Sequence, residues 1–161
     1  MKIIKNFLEK ELINYLYTYF KNLPHFYGHS SVDNSPLFYS TPLNLSDALN
    51  DFLCKKILNV LNNNSKILRM YLNIQYCFMD GAFHKDDGEC TVLLMVSPTL
   101  QKNSGCFEIK ENDKKLKIIP FIQNQLILFS SKLEHKGCAP IEKNLPRITL
   151  AFKTEKNNET K

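Results

Sequence analysis

Phe7, Leu8, Leu12, Tyr15, Leu16, Tyr19 and Phe20 recur at helical spacing, so residues 6–22 read as an amphipathic helix, with Asn6 as N-cap and Glu9 three positions on. Pro24 ends it. Between 24 and 45, Pro, Ser, Asn and Gly alternate with Phe26, Tyr27, Phe38 and Tyr39, which predicts an ordered loop anchored by its aromatics. A second helix is predicted from Ser46, where Asp47 suits the positive end of the helix dipole. Leu49, Phe52, Leu53, Ile57, Val60 and Leu61 form its apolar stripe, and Asn62, Asn63 and Asn64 stop it.

From Lys66 the period shortens. Six β-type runs follow, over 67–77, 90–97, 105–111, 115–119, 125–130 and 147–153, separated by turn signals such as Asp80-Gly81, Ser104-Gly105 and Asn112-Asp113. Without βαβ alternation after residue 66, this order predicts a mainly β chain of the jelly-roll kind preceded by two N-terminal helices. The 161 residues fit one domain: helices and aromatic loop over 1–65, core over 66–153, and a polar, frayed tail over 154–161.

Composition narrows the classes. A hydrophobic fraction of 43% with 23% charged residues describes a globular chain and excludes global disorder. No run reaches the roughly 20 apolar residues of a membrane span, and Lys5, Glu9, Lys10 and Glu11 stand where a signal peptide would be apolar, so a cytoplasmic protein is expected. The net charge of +5 is spread among acidic residues, which speaks against nucleic acid as a partner. Cys54, Cys77, Cys90, Cys106 and Cys138 are odd in number and lack C-x-x-C spacing, so reduced thiols are expected. Against a lysine-rich background, Arg69 and Arg147 are the two arginines.

The chemistry concentrates in Phe83-His84-Lys85-Asp86-Asp87-Gly88. In an extended chain, i and i+2 point the same way, so His84 and Asp86 form a two-point metal clamp while Lys85 faces away. His135, fifty-one positions later and after the apolar strand Gln125–Phe129, is the candidate third ligand. Two imidazoles and one carboxylate on one face of an octahedron leave three positions open, the arrangement of non-haem Fe(II) oxygenases. Arg147 and Thr149 share a face in the same way and suit a carboxylate. Taken singly, each of these residues has an ordinary structural reading; their order along the chain promotes them together. His25 and His29 sit in a loop, where solvent- or substrate-facing roles outweigh a zinc pair, and Cys138 lies three residues beyond His135.

The series His84-x-Asp86, His135, Arg147-x-Thr149 resembles the 2-oxoglutarate- and Fe(II)-dependent oxygenase superfamily over about residues 67–153. The context Ile118-Ile119-Pro120-Phe121, Asn124–Phe129, His135-Lys136-Gly137 and Ala139-Pro140 is similar to its prolyl-hydroxylase-like branch, which includes short phage-encoded members that would act in a host cytoplasm. The resemblance implies a double-stranded β-helix, Fe(II) on His84, Asp86 and His135, and 2-oxoglutarate with its distal carboxylate on Arg147 and Thr149, joined by a hydroxyl from Tyr76. It also implies O2 as co-substrate, ascorbate as a candidate reductant, and hydroxylation of a C–H bond in a peptide or protein, with proline the leading target. Asp87 or Glu134 would orient the imidazoles. Two alternatives stand beside this reading: the same chemistry on a free amino acid or other small molecule, and a non-catalytic jelly-roll binding module. A nucleic-acid demethylase is disfavoured, because that branch carries a second arginine six residues after the first, where this chain has Lys153.

Overall fold

The computed structural model describes residues 1–62, 64–111 and 115–157. In chain order its elements are β1 (Lys2–Ile4), α1 (Lys10–Lys21), β2 (Phe26–His29), β3 (Phe38–Leu43), α2 (Ala48–Val60), β4 (Ser65–Gln75), β5 (Cys90–Met95), β6 (Phe107–Lys110), β7 (Leu116–Ile119), β8 (Leu126–Ser130), β9 (His135–Gly137) and β10 (Arg147–Lys156). A seven-stranded antiparallel sheet, ordered β1-β8-β5-β10-β4-β3-β2, faces a three-stranded sheet, β7-β6-β9. This is a jelly roll with helices against its larger sheet. Among the described residues, no helix is long and apolar enough to cross a membrane.

Alternation along β10 explains the layering. Ile148, Leu150 and Phe152 point to one side, where Leu16 and Phe20 of α1 and Leu53 and Ile57 of α2 complete one core. Ala151, on the opposite face, joins Leu93, Phe107, Ile127 and Phe129 in a second core between the sheets. Residues 147 to 154 are all buried, because β10 is flanked by β4 and β5 and covered on both faces.

Several elements depart from the sequence expectation. The helices do not simply precede the strands, since β1, β2 and β3 are interleaved with them. The segment expected to be a loop over 24–45 contains the β2–β3 hairpin: Tyr27 pairs with Tyr39, and a bulge at Gly28 (φ +114°) re-registers His29 opposite Phe38. The first helix starts four residues later than predicted, because Asn6 adopts a left-handed conformation (φ 50°) and Phe7 and Leu8 are tied elsewhere. Phe7 donates its N–H to the Asn124 carbonyl at 3.1 Å, and the Asn124 side chain accepts from Leu8 N–H at 2.8 Å while donating to Leu8 O at 2.6 Å. Asn62 (φ 57°) does follow α2, whereas Asn63 lies outside the described residues. Thr154 belongs to β10 and is buried, so the tail begins later than expected; 158–161 lie outside the described residues.

Asn124→Ala removes both side-chain bonds that clamp the N-terminal segment. It is expected to cost about 1–3 kcal/mol in urea unfolding; an unchanged midpoint would show that the clamp does not hold the segment.

Candidate active site

His84 and His135 are brought together by their own backbones. Each donates its N–H to the other's carbonyl, at 3.0 and 2.9 Å, an antiparallel bridge that sets the two side chains on one face with ring centroids 4.4 Å apart. Their Nδ1 atoms lie 2.9 Å from the carbonyls of Ala82 and Leu133, each two residues upstream. In that tautomer Nδ1–H donates to the carbonyl, so both Nε2 lone pairs are bare and converge. Asp86 follows by the i+2 rule, with its N–H on the Ser131 carbonyl at 2.9 Å. His84 Nε2 is 3.5 Å from Asp86 Oδ1, and His135 Nε2 is 3.2 Å from Oδ2. One ligand atom from each of the three residues lies within 4.8 Å of the others, a group able to hold a metal ion. Phe107 and Phe129 pack on the His135 ring, 5.6 and 4.6 Å between centroids, and shield it from water.

The Asp86 carboxylate is nearly enclosed. Thr91 donates its hydroxyl to Oδ2 at 2.7 Å, Ser131 sits 3.1 Å from that hydroxyl, and the Lys153 ammonium pairs with the same oxygen. Burial opposes ionisation, but His135, His84 and Lys153 override it and hold the carboxyl well below the usual range. For His84, burial disfavours the charged ring, yet hydrogen bonding to Asp86 and Ala82 wins and its pKa is raised. Burial pulls the Lys153 pKa down against the opposing effect of Asp86.

The same cavity, about 570 Å³, reaches Arg147, Thr149 and Asn73. Arg147 is 2% exposed, and burial lowers its pKa to about 10. Its Nε donates to the Gly105 carbonyl at 2.9 Å and Nη1 to Gln75 Oε1 at 2.6 Å. Among the described residues Nη2 has no hydrogen-bond partner, nor have Thr149 Oγ1 and Asn73 Oδ1, and all three atoms are buried. A guanidinium bonded to two neutral oxygens, with a free N–H beside a free hydroxyl, is a cradle for an anion. Gly137 makes room for it, since a Cβ there would stand 2.8 Å from Nη1 and 3.0 Å from Nη2.

The sequence-named residues therefore divide. His84, Asp86, His135, Arg147 and Thr149 all line the cavity, but Tyr76 does not. Of β4, Arg69, Tyr71, Asn73 and Gln75 line the cavity together with Met70, which otherwise belongs to the helix-side core. Tyr76 follows with opposite parity, and its ring stacks edge-on against Tyr39 at 6.0 Å. Gln75, opposite Arg147 in the β4–β10 ladder, and Asn73, opposite Thr149, occupy the positions that sequence reasoning overlooked. Their odd-numbered alternation with Arg69 was the available signal. Asp87 bonds Arg69 at 2.6 Å and Glu134 bonds Lys110 at 3.1 Å, so neither orients an imidazole. Cys138 lies 3.3 Å from Glu108, with its thiol pushed up to about 12 by burial and that carboxylate. His25 bonds Thr41, whereas His29 lines the cavity.

No protein-family model matches the sequence, and no curated protein matches it significantly. Solved structures do match. A prolyl-4-hydroxylase of Pseudomonas putida superposes at TM-score 0.77, covering 94% of this chain and 90% of its own, at 12% identity. The fold is that of the 2-oxoglutarate and Fe(II) oxygenases. A Trichoplax adhaerens prolyl hydroxylase in complex with a hypoxia-inducible-factor peptide fragment matches at TM-score 0.73 and 16% identity, covering 94% of this chain and 81% of its own. HygX of Streptomyces hygroscopicus, solved with nickel and 2-oxoglutarate, matches at 0.76 and 11%, covering 97% and 82%. On this oxygenase fold, the His84–Asp86–His135 group and the Arg147 cradle share one cavity.

Gly137→Ala is expected to push the guanidinium aside and weaken carboxylate binding about tenfold or more, with divalent-ion binding retained. Calorimetric titration with a dicarboxylate checks it; wild-type affinity would show that the arginine does not hold the anion.

Proposed function

We propose that the protein is an Fe(II)- and 2-oxoglutarate-dependent hydroxylase of peptidyl substrates, with proline the favoured target. The carrying observation is the pairing, in one cavity, of three convergent ligand atoms with a buried arginine that has no carboxylate partner among the described residues. A buried guanidinium left without an anion is costly, so the cradle fits an acidic ligand. The donor set of two neutral imidazoles and one carboxylate fits Fe(II) better than a thiolate-seeking ion.

His84 and His135 would present their Nε2 lone pairs, fixed by the carbonyls of Ala82 and Leu133. Asp86 would supply the anionic ligand, and Arg147 with Thr149 would orient the distal carboxylate of 2-oxoglutarate. When bound, iron with 2-oxoglutarate and O2 supplies oxidative decarboxylation coupled to C–H hydroxylation, and ascorbate would serve as reductant. The aromatic wall of Phe107 and Phe129 keeps water from the metal-facing imidazole. A peptidyl substrate is supported by likeness to prolyl hydroxylases, one of them solved with a peptide fragment. Exposed His29 and Arg69 on the cavity lining would meet such a chain.

The test is incubation with Fe(II), 2-oxoglutarate and O2 in the presence of lysate peptides, read by mass spectrometry for succinate and for peptides gaining one oxygen atom. Wild type is expected to give both and Asp86→Ala neither. Succinate with oxygen added to a small molecule would redirect the substrate assignment. Absence of succinate, with no visible absorption on anaerobic mixing of Fe(II) and 2-oxoglutarate, would leave a binding module.

A further inference from the structure

Lys153 lies outside the proposed ligand set, yet it is one of the largest fully buried side chains, 2% exposed, and its ammonium is placed on Asp86 Oδ2. It also donates to Thr91 Oγ1 at 3.2 Å, and its side chain passes by the Tyr71 ring with Nζ 5.8 Å from the centroid. A second cation buried beside a centre built for a dication works against that dication. With neutral imidazoles, the ligand set alone carries one negative charge from Asp86, and Lys153 cancels it. Arg147 adds a positive charge deeper in the same cavity. A divalent ion entering alone therefore meets an interior that is already positive, where water screens the repulsion poorly. A dianion in the cavity offsets it.

We propose that Lys153 couples the two ligands: it lowers the affinity of the centre for a divalent ion alone and raises the factor by which a dicarboxylate strengthens metal binding. By linkage, the metal strengthens dicarboxylate binding by that same factor. The ammonium on Asp86 keeps the buried carboxylate compensated. Lys153 is thus a positioning and tuning residue, acting on the metal through Asp86. The inference rests on the proposed Fe(II) and 2-oxoglutarate site.

The experiment is a thermodynamic cycle: Mn(II) affinity by calorimetry, with and without saturating 2-oxoglutarate, for wild type, Lys153→Met and Lys153→Arg. Lys153→Met is expected to bind Mn(II) alone about tenfold or more tightly than wild type, while the enhancement by 2-oxoglutarate shrinks by a similar factor. Lys153→Arg, which keeps the charge, is expected to retain the enhancement within about threefold. A purely structural lysine would lower the melting temperature and leave the enhancement untouched, and that result, like weaker Mn(II) binding by a folded Lys153→Met, overturns the inference. If circular dichroism shows Lys153→Met unfolded, Lys153→Gln carries the same measurement. Wild type that binds neither Mn(II) nor 2-oxoglutarate overturns the proposed function together with this inference. Wild type that binds both, with an unchanged cycle in the variants, overturns the coupling alone.

Discussion

Everything in the site depends on β10 being a strand covered on both faces. A strand has two sides and a period of two, so burying both forces a sorting of its residues. The even positions Ile148, Leu150 and Phe152 are core, and the odd positions Arg147, Thr149 and Lys153 carry the cavity's chemistry. A shift of one residue would bury the guanidinium against the helices and turn Phe152 into the cavity. The ladder to β4, with Arg147 opposite Gln75 and Thr149 opposite Asn73, fixes that register through long antiparallel pairing.

The His84–Asp86–His135 group is assembled by a different device. His84 belongs to no extended ladder, and β9 is three residues long, so the two imidazoles rest on one two-way backbone bridge and on carbonyls two residues upstream of each. Main-chain groups orient the rings, leaving nearby acidic side chains free to pair with Arg69 and Lys110. Enclosure then raises the cost of every charge. Asp86 is satisfied by Thr91 and Lys153, whereas Arg147 is left with only neutral partners.

Much of this was legible in the sequence because period-two placement is a local property. The i, i+2 pairs His84/Asp86 and Arg147/Thr149 are where that rule puts them, and the strands from β4 onward, β9 excepted, fall close to their apolar runs. What escaped depends on long-range partners. Asn6 reads as a helix cap locally, but Asn124, distant in sequence, captures the next two residues. The β2–β3 hairpin hides in turn-forming residues because its pairing is with β4 rather than with an apolar pattern of its own. Strand β9 escaped because it is too short and polar to show a period, although His135 at its start was named. Tyr76 misses the cavity by a single step of parity at the end of β4, a distinction that an uncertain register leaves open. Lys153 was visible only as an arginine that is absent; its burial on Asp86 is a tertiary fact.

The sheet order carries a consequence for biogenesis. β10 follows the other strands of the larger sheet in sequence, yet it sits between β5 and β4 in the middle of that sheet. A nascent chain therefore holds two half-sheets with open, hydrogen-bond-hungry edges until β10 has left the ribosome, and closure waits on contacts between β10 and strands far upstream. Translation pauses or premature stops before β10 would release a sticky intermediate instead of a partly working protein.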